Sequence, residues 1–580
     1  MTAPTPRSVA PPPERFNFAA HLIERNTTRA EKLAYIDDQG SLTYGELADK
    51  VRRFAAALGQ LGVRREERVL LLMHDCNDWP VAFLGALYAG VVPVAVNTLL
   101  TADDYAYMFA HSRARVAVVS ASLLPVLQAA MDKSGHEIHT VVVSRASVPS
   151  PSGGGEQVPS PSGGGLGWGQ VANGTSLPNA NVPPPNPPPL GGGAEPAHAV
   201  HALHFDDWIA DQTPAATPAN TSADEPGFWL YSSGSTGRPK GTVHTHGNLY
   251  WTAELYAEPI LGLTESDVCF SAAKLFFAYG LGNALSFPLS VGATTILMAE
   301  RPTPDACFKR FVEQKPTVFF GAPTGYAGML ASPNLPARAQ VALRMCSSAG
   351  EALPREIGEK FTAHFGAEII DGIGSTEMLH VFLSNRPGDV RYGTTGKPVP
   401  GYKVEIRDDT GQPLTGSDEV GDLYISGPSA ALMYWANREK TNETFRGAWT
   451  KSGDKYFRDA DGYYVYAGRS DDMLKVSGQY VSPFEVESTL MQHPLVLESA
   501  VIGVDDGDGL TRAKAFVVLK DAKLGNDALI EELKTFVKSK LAPYKYPRQL
   551  EFVAELPKTA TGKIQRFKLR DLEKSRSSRE

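Results

Sequence analysis

Short apolar runs alternate with amphipathic segments through the first 140 residues, which is the pattern of parallel strands joined by helices. Residues 67–73, 116–120 and 139–143 are apolar runs bordered by polar residues and are predicted to be buried strands. Thr43 ends another strand-like segment and precedes an amphipathic run, as the N-cap of a helix does. This part of the chain therefore predicts an α/β domain.

The segment from Trp79 to Val96 carries no charge and, at about 18 residues, reaches the length of a membrane span. Pro80, Gly85, Gly90 and Pro93 interrupt it. We favour a buried helix, a turn near Gly90 and a short buried strand over residues 91–96. The pattern thus argues against a membrane-spanning segment.

Residues 147–196 differ sharply from their surroundings, since they consist mostly of Pro, Gly, Ser and Asn. An octamer is duplicated at 148–155 and 158–165, and a proline-rich run follows at 183–189. Such a composition buries too little apolar surface to fold, so we expect a disordered loop insertion within one domain. A partner that recognises proline-rich segments is the alternative for the 183–189 run.

The alternating pattern resumes after the insertion, with predicted strands at 317–320, 368–370, 403–407 and 422–426. The last 110 residues or so contain predicted strands at 499–504 and 513–519, predicted helices at 483–493 and 527–541, and a basic tail. We expect a large α/β domain of layered subdomains over residues 1–470 and a small, mobile α+β domain over 471–580.

Composition narrows the classes of function. The chain has 580 residues, and its net charge of −8 argues against nucleic acid or an anionic membrane as the main partner. Its four cysteines are far apart and are predicted to be reduced core thiols, as in a cytoplasmic protein. The N-terminus lacks the apolar region of a secretion signal. We therefore predict a cytoplasmic protein, for which a homodimer is a possible assembly.

Residues 231–241 carry the strongest chemical signal in the chain. The segment interleaves glycines with small hydroxyl residues and leads to a lysine, which suits a loop that surrounds a polyphosphate. Lys240 follows a proline and precedes Gly241, so the segment is not a P-loop, which needs Ser or Thr after its lysine. The residues predicted to bind the nucleotide here are Ser232, Ser233, Gly234, Ser235, Thr236, Gly237 and Lys240.

This segment resembles the phosphate loop of the adenylate-forming enzymes, which include acyl-CoA synthetases, luciferases and the adenylation domains of peptide synthetases. The resemblance covers most of the chain except the insertion. It implies that the loop at 348–354, with Gly350 and Glu351, lines an adenine pocket. It also implies that Asp371, Gly372 and Ile373 contact the nucleotide, although Ile373 replaces the tyrosine that many members stack on adenine.

The same resemblance assigns roles around the reacting phosphate. Thr376 is expected to bond phosphate and Glu377 to hold Mg²⁺, since one carboxylate plus substrate phosphates is a normal magnesium site. Asp454 is expected to accept both ribose hydroxyls and Arg469 to reach the ribose or phosphate. Lys563 matches the catalytic lysine, an ammonium that bridges the two anions that react.

In this family the small domain rotates between two poses. The resemblance implies that Asp471 is the hinge residue and that the rotation withdraws Lys563 once the adenylate has formed. It further implies that the other face of the domain then admits coenzyme A. The residues expected at that face are Ser477, Gly478, Gln479 and Tyr480.

The segments 274–283 and 375–381 look most like the benzoate-CoA ligase branch. The positions that would surround an aryl ring are Ala278, Tyr279, Gly280, Ala349, Gly374, His380 and Val381. Small residues leave a flat slot, Tyr279 supplies an aromatic wall, and His380 supplies a polar group. Val381 is expected to leave room for a ring substituent, a difference worth about 1–3 kcal/mol.

The sequence thus predicts an enzyme that uses ATP, Mg²⁺ and coenzyme A to activate benzoate or a close aryl carboxylate. Ala278 lies where an amino-acid-activating domain generally has an aspartate, which counts against amino acids. The alternatives keep the chemistry but change the acid to another substituted aryl, arylalkanoic or fatty acid, or change the acceptor to a carrier-protein thiol. A binding protein that has lost the reaction is a further alternative.

Overall fold

The computed structural model describes most of the chain. The described residues are 9–145, 201–232, 238–470, 472–476, 479–505, 511–542, 545–558 and 564–577. Of residues 475, 479, 480, 505 and 511 only the backbone is described. The predicted insertion at 147–196 lies outside the described residues.

The elements up to residue 300 alternate between strands and helices. The helices are α1 (Phe18–Arg25), α2 (Tyr44–Gln60), α3 (Asp78–Tyr88), α4 (Ala102–Ser112), α5 (Leu124–Met131), α6 (Phe205–Ala210), α7 (His246–Thr252), α8 (Ala278–Leu281) and α9 (Phe287–Val291). The strands are β1 (Leu33–Ile36), β2 (Ser41–Thr43), β3 (Arg68–Leu72), β4 (Val92–Ala95), β5 (Val116–Ser120), β6 (Thr140–Ser144), β7 (His201–His204), β8 (Pro226–Ser232), β9 (Lys240–Thr245), β10 (Val268–Ser271) and β11 (Thr294–Ile296).

The second half is richer in strands. Its helices are α10 (Pro304–Glu313), α11 (Pro323–Ala331), α12 (Arg355–Phe365), α13 (Arg438–Thr444), α14 (Pro483–Met491), α15 (Asp527–Lys540) and α16 (Arg566–Ser577). Its strands are β12 (Val318–Gly321), β13 (Met345–Ser348), β14 (Glu368–Gly374), β15 (Val381–Ser384), β16 (Lys397–Pro398), β17 (Lys403–Arg407), β18 (Gly421–Ser426), β19 (Met433–Tyr434), β20 (Phe445–Arg446), β21 (Trp449–Arg458), β22 (Tyr464–Arg469), β23 (Leu474–Val476), β24 (Gln479–Val481), β25 (Val496–Asp505), β26 (Thr511–Leu519) and β27 (Gln549–Phe552).

Two large mixed sheets form the body of the described chain. One has the strand order β19-β9-β8-β4-β3-β5-β6-β7 and the other the order β16-β15-β14-β13-β12-β10-β11-β1-β2. Their central strands are parallel, and the hairpins β8–β9 and β14–β15 are antiparallel. The carboxyl ends of β8, β13 and β14 carry the motifs of the predicted site, which is where α/β sheets usually bind ligands.

A third sheet, of antiparallel strands β17, β18, β20, β21 and β22, packs beside the second large sheet. After residue 470 come the hairpin β23–β24 and a three-stranded sheet of β25, β26 and β27 with helices α14, α15 and α16. The residues predicted to be only a basic tail include α16, which packs on β25. The α/β fold with a further α+β unit is therefore confirmed.

The uncharged segment at 79–96 folds as the sequence predicted. Helix α3 is buried on every side, and β4 pairs with both β3 and β8 inside the first sheet. Gly90 makes the turn between them at φ +72°, a conformation that side chains disfavour. Among the described residues no helix is long and apolar enough to cross a membrane.

The strands that flank the predicted insertion lie side by side. Strand β6 pairs in parallel with β7, so the chain leaves and re-enters the same sheet.

Thr43 is the N-cap of α2 and forms a capping box with Glu46, as predicted. The four cysteines are buried and free.

Candidate active site

Lys240 lies at the start of β9, directly opposite Ser232 at the end of β8. The hairpin that joins these strands therefore brings both ends of the predicted phosphate loop together, while Ser233, Gly234, Ser235, Thr236 and Gly237 lie outside the described residues. The Lys240 ammonium donates to the Tyr434 hydroxyl at 3.2 Å and lies 4.0 Å from a Glu377 carboxylate oxygen. The pKa of Lys240 is lowered, and burial is a larger cause of this shift than any charged neighbour.

The predicted phosphate and metal residues lie in the turn between β14 and β15. The Tyr434 hydroxyl donates to Glu377 Oε1 at 2.6 Å, and the Ala431 amide donates to the Glu377 carbonyl at 2.8 Å. The Thr376 carbonyl accepts a hydrogen bond from His244 Nε2 at 2.8 Å. The turn is thus held on both sides by side chains from other elements.

The protonation of His244 follows from its neighbours. A carbonyl can only accept, so Nε2 carries the proton, and Nδ1 accepts from the Asn248 amide at 2.8 Å. Burial lowers the pKa of His244 to about 4, which keeps the ring neutral. His244 therefore holds the backbone of Thr376 as a fully paired, neutral side chain.

The Glu377 carboxylate fits the predicted magnesium site. Within the described part of the chain no group of three or more His, Cys, Asp or Glu side chains could hold a metal ion by itself. A magnesium ion that binds one carboxylate and substrate phosphates needs no such group. Glu377 would hold the ion, and Lys240 next to it would face the phosphates.

Asp454 and Arg469, predicted to bind ribose and phosphate, are direct neighbours across the antiparallel pair β21–β22. Arg469 Nη1 donates to Asp454 Oδ1 at 3.1 Å, and the Asp454 side chain is buried. Arg469 also lies close enough to Lys240 to lower its pKa. The structure thus brings the predicted ribose and phosphate residues into one region.

The segments predicted to line the adenine pocket follow β13 and form β14. Gly350 has φ +99°, and the Glu351 carboxylate accepts from Thr324 Oγ1 at 3.5 Å. Asp371 is buried, which raises the pKa of its carboxyl group well above the ordinary value, and its Oδ1 has no hydrogen-bond partner among the described residues. Gly372 and Ile373 pair with β15, and Ile373 is half-buried.

The predicted aryl residues meet around the His380 ring. Tyr279 lies 5.4 Å from it between ring centroids, and the Tyr279 hydroxyl donates to Ser347 Oγ at 3.0 Å. Phe287 packs edge-on against the imidazole at 4.4 Å. Three small or branched residues near this centre, Ala278, Ala349 and Val381, are buried.

Three glycines let the backbone approach closely in this region. A Cβ at Gly282 would lie 2.3 Å from His380 Cδ2, and one at Gly374 would lie 2.5 Å from the His380 carbonyl oxygen. A Cβ at Gly280 would lie 2.0 Å from the carbonyl oxygen of Lys274. Any side chain at these positions would force its neighbours to move, so glycine is required for this packing.

Two buried charged side chains, Lys274 and Asp75, anchor the loop that precedes Tyr279. Lys274 donates to the Glu300 carbonyl at 2.8 Å, and Asp75 Oδ1 accepts from the Leu275 amide at 3.1 Å. Burial raises the pKa of Asp75 to about 6, and the nearby Lys274 ammonium opposes this rise. The pair fixes the entry to α8 without lying among the predicted site residues.

The residues on either side of the predicted hinge belong to different units. Ser470 donates to Asp422 in the third sheet at 2.8 Å, whereas Asp472 accepts from Arg570 of α16 at 2.7 Å. Asp471 lies between them and outside the described residues. The side chains on the two sides of Asp471 therefore contact different units, although the Asp472 amide still donates to the Arg469 carbonyl at 3.1 Å.

The remaining predicted residues are only partly described. Lys563 lies outside the described residues, but the described positions before and after it, Lys558 and Ile564, form an antiparallel bridge. Ser477 and Gly478 also lie outside, and Gln479 and Tyr480 are described only as the backbone of β24. The predicted roles of these residues are not tested by the geometry.

Sequence reasoning missed three residues that the fold brings to the site, namely His244, Tyr434 and Asn283. His244 is in the β9 strand that follows the glycine-rich loop, so its proximity to that loop was a signal. Tyr434 comes from β19, almost 200 residues after Lys240, and nothing in the local pattern marks it. Asn283 is the last residue of the segment 274–283, but the sequence pattern predicts no role for it.

Comparison with known proteins agrees with this arrangement. Residues 22–435 match the AMP-binding enzyme family, and residues 485–563 match the AMP-binding enzyme C-terminal domain. The chain is 53% identical to a benzoate–CoA ligase of Thauera aromatica over 96% of both chains.

Solved structures with the same fold include a benzoate CoA ligase from Burkholderia xenovorans. It is 58% identical, with a TM-score of 0.82 over 96% of this chain and 100% of that one. An anthranilate CoA ligase in complex with anthranoyl-AMP is 40% identical, with a TM-score of 0.84 over 98% of this chain and 99% of that one. With its family match, its fold and the grouping of its motif residues, this chain belongs to the AMP-binding enzyme family.

Proposed function

We propose that the protein is an ATP- and Mg²⁺-dependent benzoate-CoA ligase that acts on benzoate or a close aryl carboxylate. The observation that carries the proposal is the turn between β14 and β15, which holds Glu377 at one end and His380 at the other. One short segment therefore links a charged phosphate region to an aromatic slot. The relatives at 53% and 58% identity, which are benzoate-CoA ligases, support the same substrate.

The reaction has two steps. In the first, a carboxylate oxygen of the acid attacks the α-phosphorus of ATP, the bond to the β-phosphate oxygen breaks, and pyrophosphate leaves. In the second, the sulfur of coenzyme A attacks the acyl carbonyl, the thiol proton is lost, and AMP leaves with the pair of electrons of the broken acyl–oxygen bond. When bound, Mg²⁺ supplies charge neutralisation for the phosphates.

The described residues divide this work between them. Lys240 and Arg469 face the phosphate region, and Asp454 is placed to accept hydrogen bonds from ribose hydroxyls. Gly350, Glu351, Asp371, Gly372 and Ile373 are proposed to surround the adenine. Tyr279 and His380 form the wall of the aryl slot, where Ala278, Ala349 and Gly374 leave space for a flat ring.

Lys563 is proposed to bridge the reacting carboxylate and α-phosphate, and rotation about Asp471 is proposed to withdraw it. The side-chain contacts of Ser470 and Asp472 support this hinge, because the first reaches the third sheet and the second reaches α16. Residues 477–480 are proposed to admit coenzyme A after the rotation. A cytoplasmic location and assembly as a homodimer are further parts of the proposal.

The test is AMP release with coenzyme A and a panel of acids, run on the wild type and on Lys563→Ala. The panel comprises benzoate, substituted benzoates, phenylacetate, cinnamate, hexanoate and palmitate. We expect the best turnover on benzoates and a loss of about 100-fold or more in Lys563→Ala, with ATP binding kept. Lys558→Ala is the matched control, because Lys558 is close to Lys563 in sequence but pairs with Glu498 at 2.6 Å.

Each alternative predicts its own result. Best turnover on an aliphatic acid would retain the adenylation chemistry and refute the aryl slot. Release of AMP only with a carrier-protein thiol would refute coenzyme A as the acceptor. ATP binding without turnover on any acid would indicate a binding protein, and unchanged turnover in Lys563→Ala would refute the role of that lysine.

A further inference from the structure

The helix that enters the aryl slot contains an irregular turn with orphaned polar groups. Between α8 and α9 the helix widens into a π-helical turn, Gly282–Ser286, a feature that often marks functional sites. Asn283 and Ser286 in this turn are fully buried. Neither the oxygen nor the nitrogen of the Asn283 amide, nor the Ser286 hydroxyl, has a hydrogen-bond partner among the described residues.

Such groups are uncommon in a folded interior. Buried polar side chains are almost always hydrogen-bonded, because a buried amide that loses its bonds to water destabilises the fold. Asn248 shows the ordinary case, since its amide nitrogen donates to both His244 and the Ala430 carbonyl. The Asn283 amide is therefore an exception that calls for a partner.

His380 offers a second orphaned atom close by. Its Nε2 lies 3.3 Å from the Tyr279 carbonyl, which can only accept, so Nε2 carries the proton. Nδ1 is then a lone-pair acceptor, and it is buried without a partner. Burial lowers the pKa of His380 to about 3, so the imidazole stays neutral and Nδ1 stays available.

Both orphaned groups lie beside Tyr279 and Gly282. The His380 ring rests on the backbone of Gly282, the residue before Asn283. Asn283 follows Tyr279 by four positions. Burial raises the pKa of the Tyr279 hydroxyl, and the nearby Asn283 side chain opposes this rise. Its amide atoms nevertheless make no hydrogen bond with a described group.

We propose that Asn283 and His380 Nδ1 form a specificity pair for a hydroxyl or amino group on the aryl ring of the substrate. The substituent donates a hydrogen bond to Nδ1 of His380 and forms a second one with the amide of Asn283. A methyl or fluoro group leaves both side chains unpaired, whereas with unsubstituted benzoate a buried water satisfies them. This inference rests on the proposed function and narrows its substrate class.

The first test leaves the protein unchanged. Initial rates of AMP release give kcat/KM for benzoate and for hydroxy-, amino-, fluoro- and methylbenzoates substituted at each ring position. Hydroxyl and methyl groups are similar in size, so the comparison isolates hydrogen bonding. We expect at one ring position a preference of about tenfold for the hydroxyl or amino compound over the methyl compound.

Equal or better turnover of the methyl compound at every position would overturn the proposal. Because benzoate is in the panel, this outcome is distinct from failure of the proposed function, which would show as no turnover on any benzoate. The panel therefore separates the two claims in one experiment.

The second test is Asn283→Leu, which replaces the amide with an apolar group of similar size. We expect the preference for the polar substituent to disappear and the thermal midpoint to stay the same or rise. A purely structural Asn283 would instead lower the midpoint and leave the preference intact, which would overturn the proposal. Asn248→Leu is the matched control and is expected to lower the midpoint, because that amide is bonded.

Discussion

The phosphate end and the aryl end of the site differ in whether their polar side chains have hydrogen-bond partners. At the phosphate end, Lys240, Tyr434 and Glu377 contact one another, and Asp454 is bonded to Arg469. At the aryl end, the amide of Asn283 and Nδ1 of His380 have no partner in the described structure. Charged groups must be paired when no ligand is bound, because an isolated buried charge costs far more than an isolated neutral dipole.

Two of the buried histidines, His244 and His380, show the same contrast. His244 uses both ring nitrogens and holds a backbone carbonyl, so it is part of the frame. His380 uses one nitrogen, and the other is buried without a partner among the described residues. A side chain with both nitrogens bonded positions the site, whereas one with a free nitrogen can still select a ligand.

The largest effect is expected from Glu377→Gln, which removes the charge but keeps the size of the side chain. We expect kcat/KM to fall about 100-fold for every acid, because the substitution weakens the proposed magnesium site at the phosphate end. The measurement is AMP release as a function of Mg²⁺ with benzoate and with phenylacetate. The exposed Glu443→Gln is the control, and a change in the preference between the two acids would contradict the separation of the two ends.

The second effect is the pH dependence of stability. The folded pKa values are about 4 for His244 and about 3 for His380, whereas histidines of the unfolded chain titrate near pH 6.5. As the pH falls below 6.5, these histidines gain protons in the unfolded state but not in the folded state. The free energy of unfolding therefore decreases until the pH reaches the folded pKa values. Between pH 7 and pH 5 each histidine should reduce the free energy of unfolding by about 2 kcal/mol.

Urea unfolding at the two pH values measures this loss. In His380→Gln the free energy of unfolding should decrease less between pH 7 and pH 5 than in the wild type, by about 2 kcal/mol. An identical decrease in both proteins would show that His380 is protonated in the folded state, which is incompatible with a neutral aryl end.

The third effect concerns the aryl end alone. In Gly282→Ala the new methyl group would push the His380 ring away, because its Cβ would lie 2.3 Å from Cδ2. We expect the KM for benzoate to rise about tenfold and stability to fall by about 1–3 kcal/mol, while the KM for ATP is unchanged. Steady-state kinetics with each substrate varied in turn checks this result. Gly59→Ala, with open space around its Cβ position, is the control.

The smallest effect is expected from Tyr434→Phe, which removes the hydroxyl between Lys240 and Glu377. We expect about a three- to tenfold rise in the Mg²⁺ and ATP concentrations needed for half-maximal rate, with the KM for benzoate unchanged. Tyr464→Phe is the control, since its hydroxyl bonds only within the third sheet, to the Val404 carbonyl at 3.3 Å. A rise in the KM for benzoate instead would contradict the assignment of Tyr434 to the phosphate end.

Much of the fold was predictable because local patterns and tertiary burial agree. The apolar run at 116–120 became β5 with unchanged bounds, and the segment at 79–96 became α3 and β4. Helix α16 was missed because its sequence is rich in charge, and its helix is stabilised by ion pairs such as Arg570 with Asp472 and Arg576 with Glu551. Ion pairs between distant segments leave no periodic pattern in the sequence.

The site was predictable in its motifs but not in its supports. The residues of the turn at 374–381 are consecutive, so the sequence alone placed Glu377 and His380 near each other. His244 and Tyr434 reach this turn from strands far away in the chain, and only the pairing of β9 with β19 brings them there.

The sequence by itself determined the family, the order of the motifs and the elements that carry them, because each depends on residues close together in the chain. The tertiary structure alone decided which side chains are paired and which are not. Asn248 and Asn283 are both buried asparagines at helical positions, yet one amide is bonded and the other is not. That difference depends on what each helix packs against, and so on contacts between residues that are distant in sequence.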